Sequence, residues 1–247
     1  MRSALWLVSS PGSHGRIRLF CFPYAGGGVS PYLQWQGSVR PLFEISAVQL
    51  PGRAGRIGES PKTSLREIIE PLAEIIGREG RSRFAFFGHS FGALIAFELA
   101  RYCVRNKLDL PIHLFASGCD APRHKTAPRN LHRLPDDQLI DSLRRYNGTP
   151  NEALENRELM TLLLPAIRAD FAIAENYVYE SGDPLPIPIT VLAGCGDSHV
   201  CDTDLQLWAE ETTRDCSVEW FRGGHFFINE DREAVLACIK KHLIVPA

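Results

Sequence analysis

Short runs rich in β-branched and aromatic residues recur along this chain, at Arg18 to Phe22, Ile45 to Leu50, Arg83 to Phe87, Ile112 to Ser117, Ile187 to Ala193 and Ser217 to Phe221. Each is of strand length and bounded by Gly, Pro or charge, the pattern of strands buried on both faces. Helical patterns separate several of them. Leu65, Ile68, Ile69, Leu72, Ile75 and Ile76 mark one, and Leu94, Ile95, Phe97, Leu99 and Ala100 mark the next. Strands that alternate with helices predict a mostly parallel sheet flanked by helices, an α/β fold. A chain of 247 residues accommodates one such domain, and residues 1–247 are expected to form it.

The alternation breaks between Ser117 and Ile187, where the chain spends about twice the length of a βαβ unit. An insertion over residues 118–186 is therefore expected. Pro135, Asp136 and Asp137 suit the first turn of a helix that carries Leu139, Ile140 and Leu143 on one side. A second helix is expected from about Leu159 through Tyr177, interrupted at Pro165. Its Leu162, Leu163 and Leu164 leave no polar face, so the segment either meets the core on one side and a cavity on the other or is a plain buried helix.

Charge and cysteine content narrow the function. Lys and Arg total 27 against 29 Asp and Glu, without a long basic run, so the footprint that nucleic acid requires is missing. The seven cysteines are odd in number and scattered, as expected for reduced thiols in a cytoplasmic protein. Cys195, His199 and Cys201 approach metal spacing without a paired CxxC, and no metal or other cofactor is expected. The apolar stretch Ala4 to Val8 is too short for a signal-peptide core or a membrane span.

Gly88-His89-Ser90-Phe91-Gly92 fits G-x-S-x-G and lies between a strand run and a helical run. That placement is a nucleophile elbow, in which a strained strand-to-helix turn holds a serine Oγ clear of the sheet. It makes Ser90 the candidate nucleophile and points to the α/β-hydrolase fold. A serine needs an oriented base. Of the eight histidines, His225 in Gly223-Gly224-His225 follows the last strand run, where catalytic groups gather in parallel-sheet proteins. His89 adjoins the serine and is expected to pack beneath it. The orienting acid falls between serine and histidine in chain order, which selects Asp197 in Gly194-Cys195-Gly196-Asp197 after the fifth parallel strand run. Asp202 and Asp204 read better as the first turn of a following helix. The oxyanion hole requires backbone donors from Phe91 and from the loop Pro23 to Gly28, where Ala25 is the first choice and Tyr24 the neighbouring one.

These segments, with Phe22-Pro23-Tyr24-Ala25-Gly26-Gly27, Gln49-Leu50-Pro51-Gly52-Arg53, Gly148-Thr149-Pro150, Arg168-Ala169-Asp170 and Gly223-Gly224-His225-Phe226-Phe227, run in order across nearly the whole chain. In them the sequence resembles the type II thioesterases, stand-alone editing enzymes that accompany polyketide synthases and nonribosomal peptide synthetases. The resemblance implies a helical lid in the insertion, with acyl groups on the phosphopantetheine arm of an acyl or peptidyl carrier protein as substrates. It also places Ser90, Asp197 and His225 on the family's triad positions. Tyr24, Leu163 and Phe171 are expected to face the acyl pocket, and a monomer is the expected state. Thioesterases that release medium-chain fatty acids from a fatty acid synthase share these motifs and form the alternative reading. A non-catalytic binding protein of the same fold would be expected to lose triad members. Cys195 and His199 have no explanation in the sequence. From Ala121 to Pro135 the chain carries Arg123, Lys125, Arg129 and Arg133 with no acidic residue until Asp136, a run expected to be a solvated loop or a docking face for an acidic carrier protein.

Overall fold

The computed structural model describes residues 6–10, 16–79, 83–124 and 129–244. Its strands are β1 (Leu7–Ser9), β2 (Ile17–Phe22), β3 (Phe43–Val48), β4 (Phe84–His89), β5 (Leu114–Ser117), β6 (Ile189–Gly194) and β7 (Cys216–Phe221). They form one seven-stranded sheet in the order β1-β3-β2-β4-β5-β6-β7. Every pairing is parallel except that of β1 with β3, where Leu7 lies opposite Val48. The sequence pattern missed β1 because three residues are too few to show an alternation.

The pleat divides the apolar side chains between two cores. Phe20, Phe22, Phe86, Leu114, Val191 and Ala193 face helices α1 (Arg66–Glu79) and α2 (Phe91–Arg105). Leu19, Cys21, Ile45, Phe87, Phe115 and Leu192 point the other way, against Tyr32, Trp35 and, after all other helices, the C-terminal helix Arg232–Leu243. Successive side chains on a strand point to opposite faces, so a strand covered on both sides must be apolar at consecutive positions.

Residues 118–186 hold α3 (Asp136–Tyr146), α4 (Asn151–Glu155) and α5 (Arg157–Glu175). They have a small core of their own, built from Leu131, Leu139, Leu143, Leu154, Met160, Leu164 and Ile167. The expected interruption at Pro165 does not occur, because α5 runs through it. Pro165 and Thr161, whose carbonyl loses its i+4 donor, both lie on the exposed side, where water can serve instead. Leu162 also departs from expectation, being 59% exposed rather than buried.

One buried ion pair fastens this insertion to the sheet. Arg53 donates to both carboxylate oxygens of Asp170 on α5, at 2.6 and 2.9 Å, and the side chains are only 4% and 3% exposed. Asp170 also accepts the Gly26 amide of the loop after β2 at 2.8 Å, while Arg53 reaches the Gly27 carbonyl at 3.3 Å. Removing one partner leaves a charge buried and unpaired, so Asp170→Ala should cost about 3–5 kcal/mol in equilibrium urea unfolding. The paired replacement Arg53→Met with Asp170→Leu should recover part of that loss, since no buried charge then remains.

Candidate active site

The turn between β4 and α2 forces Ser90 to φ 55° and ψ −118°, a left-handed region costly for a residue with a Cβ. Neighbours hold the strain in place. The Ser90 amide donates to the Ser117 carbonyl of β5 at 2.7 Å, and the Ser90 carbonyl accepts from Ala93 at 2.9 Å. Gly88 and Gly92 are required by contact: a Cβ on Gly88 would lie 2.1 Å from the Gly92 carbonyl oxygen, and one on Gly92 would lie 2.1 Å from that of Phe22. The elbow therefore rests on the start of the Pro23–Gly28 loop. Phe91 begins α2, where the first amides lack intrahelical partners, and Ala25 lines the same cavity as Ser90.

Asp197 and His225 reach this turn on loops after β6 and β7. Their backbones touch through glycines: the Gly196 amide donates to the Gly223 carbonyl at 2.9 Å, and a Cβ on Gly194 would meet the Gly224 carbonyl oxygen at 2.4 Å. Gly223 itself has φ 117°. This close approach leaves His225 Nδ1 2.7 Å from Asp197 Oδ2, with side chains 4% and 0% exposed. The other Asp197 oxygen accepts the His199 amide at 2.9 Å. Burial alone would raise the Asp197 carboxyl, but the hydrogen bond and charge of His225, with His199, bring it below the ordinary range. Asp202 and Asp204 instead occupy the first turn of a short helix, Asp202–Gln206.

Further histidines surround His225. His89 is fully buried with Nδ1 2.9 Å from the Ser117 hydroxyl, and its ring centroid lies 5.0 Å from that of His225. Burial, aided by repulsion from His225, holds it well below the usual imidazole range. His199 stacks on Tyr146 of α3 at 3.9 Å and 10° between ring planes, and bonds to Arg129, which also donates to the Tyr146 hydroxyl at 3.2 Å. Burial, then His225 and Arg129, lowers His199 to about 4. This stack is a contact between the insertion and the loop carrying Asp197, and a spacing argument has no access to it. Cys195 and Cys201 are exposed, and among the described residues they do not converge with His199 on a common point.

Two cavities open beside Ser90 and share Ser90, Tyr146 and His225. One of about 160 Å³ includes Phe91, Leu94, Cys119, Pro122, Tyr177 and Val200. The other, about 30 Å³, includes Tyr24, Ala25, Thr149, Phe171 and Phe226. Tyr24 and Phe171, two of the residues the sequence singled out, both line this second cavity. Leu163 is in neither lining, and both it and Phe171 pack against the insertion's own core. Gly148 finds its reason here as well, since a Cβ on it would strike the Phe226 ring at 2.0 Å.

The basic run that opens the insertion is largely engaged internally. Arg123 pairs with Glu211 at 3.1 Å and with the Tyr179 hydroxyl at 3.0 Å, His124 lies 3.2 Å from Glu210, and His132 bonds to Glu175. Arg129 is held by Tyr146 and His199, so neither it nor Arg123 fits a freely solvated loop; Lys125 lies outside the described residues.

A mostly parallel sheet with a strained serine at the β4–α2 turn and an Asp–His pair on the last two strand loops defines the α/β-hydrolase fold. Comparison with known proteins narrows the class. The chain belongs to the thioesterase domain family, whose profile matches residues 17–243. It is 42% identical over 240 residues to the gramicidin S biosynthesis protein GrsT of Aneurinibacillus migulanus, covering 96% of this chain and 93% of that protein. It is 35% identical to thioesterase PikA5 of Streptomyces venezuelae, covering 98% of this chain and 87% of the other. Among solved structures, the type II thioesterase BorB from the borrelidin biosynthetic cluster superposes with a TM-score of 0.87 at 34% identity, over 97% of this chain and 98% of BorB. No helix among the described residues is long and apolar enough to cross a membrane.

Gly92→Ala provides a direct check on the elbow contacts. The Phe22–Pro23 backbone against the new methyl has little room to yield, so the change should cost at least about 1–3 kcal/mol. A fall in melting temperature of roughly 2–10 °C is the expected reading.

Proposed function

We propose that this protein is a serine thioesterase that hydrolyses acyl groups from the phosphopantetheine arm of acyl or peptidyl carrier proteins, clearing aberrant chains in polyketide or nonribosomal peptide biosynthesis. The observation that carries the reading is the buried 2.7 Å contact between His225 Nδ1 and Asp197 Oδ2 beside a serine in a strained elbow. With Nδ1–H committed to the carboxylate, the proton-free nitrogen of a neutral His225 is Nε2. Ser90 attacks the thioester carbonyl while that nitrogen takes its proton, and Asp197 stabilises the imidazolium. The amides of Ala25 and Phe91 hold the oxyanion, and the thiol leaves with the proton from His225. Water activated by His225 then hydrolyses the acyl-serine, which returns the free acid and the enzyme.

In this reading residues 118–186 act as the lid of a single domain and shape the acyl pocket. The enzyme works as a cytoplasmic monomer and needs no cofactor. Similarity to GrsT, PikA5 and BorB supports the biosynthetic role over release of fatty acids from a fatty acid synthase.

Intact-mass analysis of acyl-loaded carrier proteins before and after addition of the enzyme tests the reading directly. Ser90→Ala should lower turnover by roughly a million-fold with the fold retained. Asp197→Asn should lower it by about ten thousand-fold, because the wrong tautomer of His225 is then favoured. Hydrolysis by Ser90→Ala at more than a small fraction of wild type would refute the nucleophile assignment. Phe171→Ala should change the acyl-chain profile, while Leu163→Ala should leave that profile as it is and lower the melting temperature instead. Identical profiles for Phe171→Ala and wild type would remove Phe171 from the pocket.

A further inference from the structure

A large cavity on the described molecule plays no part in the chemistry above. It is a cleft of about 700 Å³ lined by Leu65, Ile69, Glu98, Tyr102, Arg105 and Tyr177, among others. The roughly 160 Å³ cavity beside Ser90 is bounded by Leu94, Ala174 and, again, Tyr177. Tyr177 is the one lining residue the two have in common. Helix α2 aligns them. Leu94, Glu98 and Tyr102 recur every four residues and therefore share a face with the serine turn that begins the helix. Glu98 lies about 12 Å along the axis from Ser90 at 1.5 Å per residue. Tyr177, just beyond the end of α5, sits between the two spaces.

The ring is anchored. Its hydroxyl donates to Glu98 Oε1 at 2.7 Å, and the same oxygen accepts from Arg101 at 2.6 Å. Arg101 also donates to the Glu180 carbonyl, and its guanidinium lies 5.5 Å from the Phe97 ring centroid and 4.9 Å from that of Tyr179. Arg105 approaches the second Glu98 oxygen at 3.8 Å. Glu98 and Arg101 are both buried. Such a pair is weak evidence for stability, since desolvation offsets its attraction. Its consequence here is geometric: swinging the ring away would strip a buried carboxylate of a donor.

We propose that Tyr177 is the chain-length stop of the acyl pocket, and that the Glu98–Arg101 pair is the positioning device that holds it there. At about 30 Å³ for each water-sized group, the space in front of Tyr177 admits roughly five such groups, the size of a short acyl chain. The cleft behind it has an apolar floor at Leu65 and Ile69 and polar groups at Tyr102, Arg105 and Asn106. Joined to the pocket, it would take longer chains, including those with polar groups at the far end. The inference rests on the thioesterase reading and assigns its substrate range.

Measurement of kcat/KM across straight-chain acyl-pantetheine thioesters from acetyl to dodecanoyl tests it. Wild type should fall off beyond about hexanoyl. In Tyr177→Ala the decanoyl-to-butyryl ratio should rise roughly tenfold or more, the scale on which pocket size discriminates chain length. Tyr177→Phe and Glu98→Gln, which keep the bulk but weaken the anchor, should raise the ratio by less. Adding Leu65→Trp to Tyr177→Ala fills the cleft and should bring the ratio back toward wild type. If circular dichroism shows Tyr177→Ala unfolded, Tyr177→Leu carries the same expectation. An unchanged ratio in an active enzyme overturns the chain-length stop alone, as does a rise that Leu65→Trp does not reverse. A wild-type enzyme inactive on every thioester overturns the thioesterase reading and this inference with it.

Discussion

The contact between Arg53 and Asp170 sets the geometry on which the rest of the site depends. Two buried charges meet through paired hydrogen bonds, and Asp170 also takes the Gly26 amide. One carboxylate on the inserted helix thereby fixes the loop after β2, the loop after β3 and the helix itself. Ala25 precedes Gly26, so the position of a proposed oxyanion donor depends on an ion pair that never meets substrate. Burial of the pair costs desolvation that apolar side chains would avoid. Its directionality gives what apolar packing cannot, a single registry between the insertion and the sheet.

Close backbone approach does the corresponding work on the other side of the serine. Gly92 against Phe22 and Gly194 against Gly224 bring loops to distances that any Cβ would obstruct, and the Gly196 amide bonds the Gly223 carbonyl beside them. Strained Ser90 is tolerated because its amide and carbonyl are both bonded to neighbouring structure. The loops can then be short, and short loops at the ends of buried strands keep Asp197 and His225 in one arrangement.

The electrostatics follow from that crowding. His89 and His199 flank His225, and burial pushes both toward the neutral form. His225 differs from both in placing its Nδ1 against the buried Asp197 carboxylate, the partner on which the proposed acyl transfer relies. The stack of Tyr146 on His199 carries the same arrangement outward to the insertion, where Arg129 closes it. Arg129 and Arg123 are cations that a sequence reading leaves available to an acidic partner, yet each is engaged within the chain.

Most of the fold was legible in the residues themselves because both of its periodicities are strong. Consecutive apolar positions in β2, β4 and β6 announce strands covered on both faces, and the glycines around Ser90 and before His225 announce turns that only glycine permits. Chain order and strand ends then selected Ser90, Asp197 and His225 as candidates, and the structure places Ser90 and His225 on one cavity with Asp197 bonded to His225. Local pattern could not see β1, whose three residues carry no period, nor the passage of α5 through Pro165, which depends on the exposure of one carbonyl. It could not rank Leu163 against Phe171, because both pack against the insertion's own core and only Phe171 also lines the cavity beside Ser90. The Arg53–Asp170 pair, the Tyr146–His199 stack and the anchoring of Tyr177 by Glu98 each join residues far apart in the chain. Sequence by itself determined most of the local elements and which candidate residues they carry. Tertiary structure alone decided which distant side chains meet, because directional contacts between separate elements have no period along the chain.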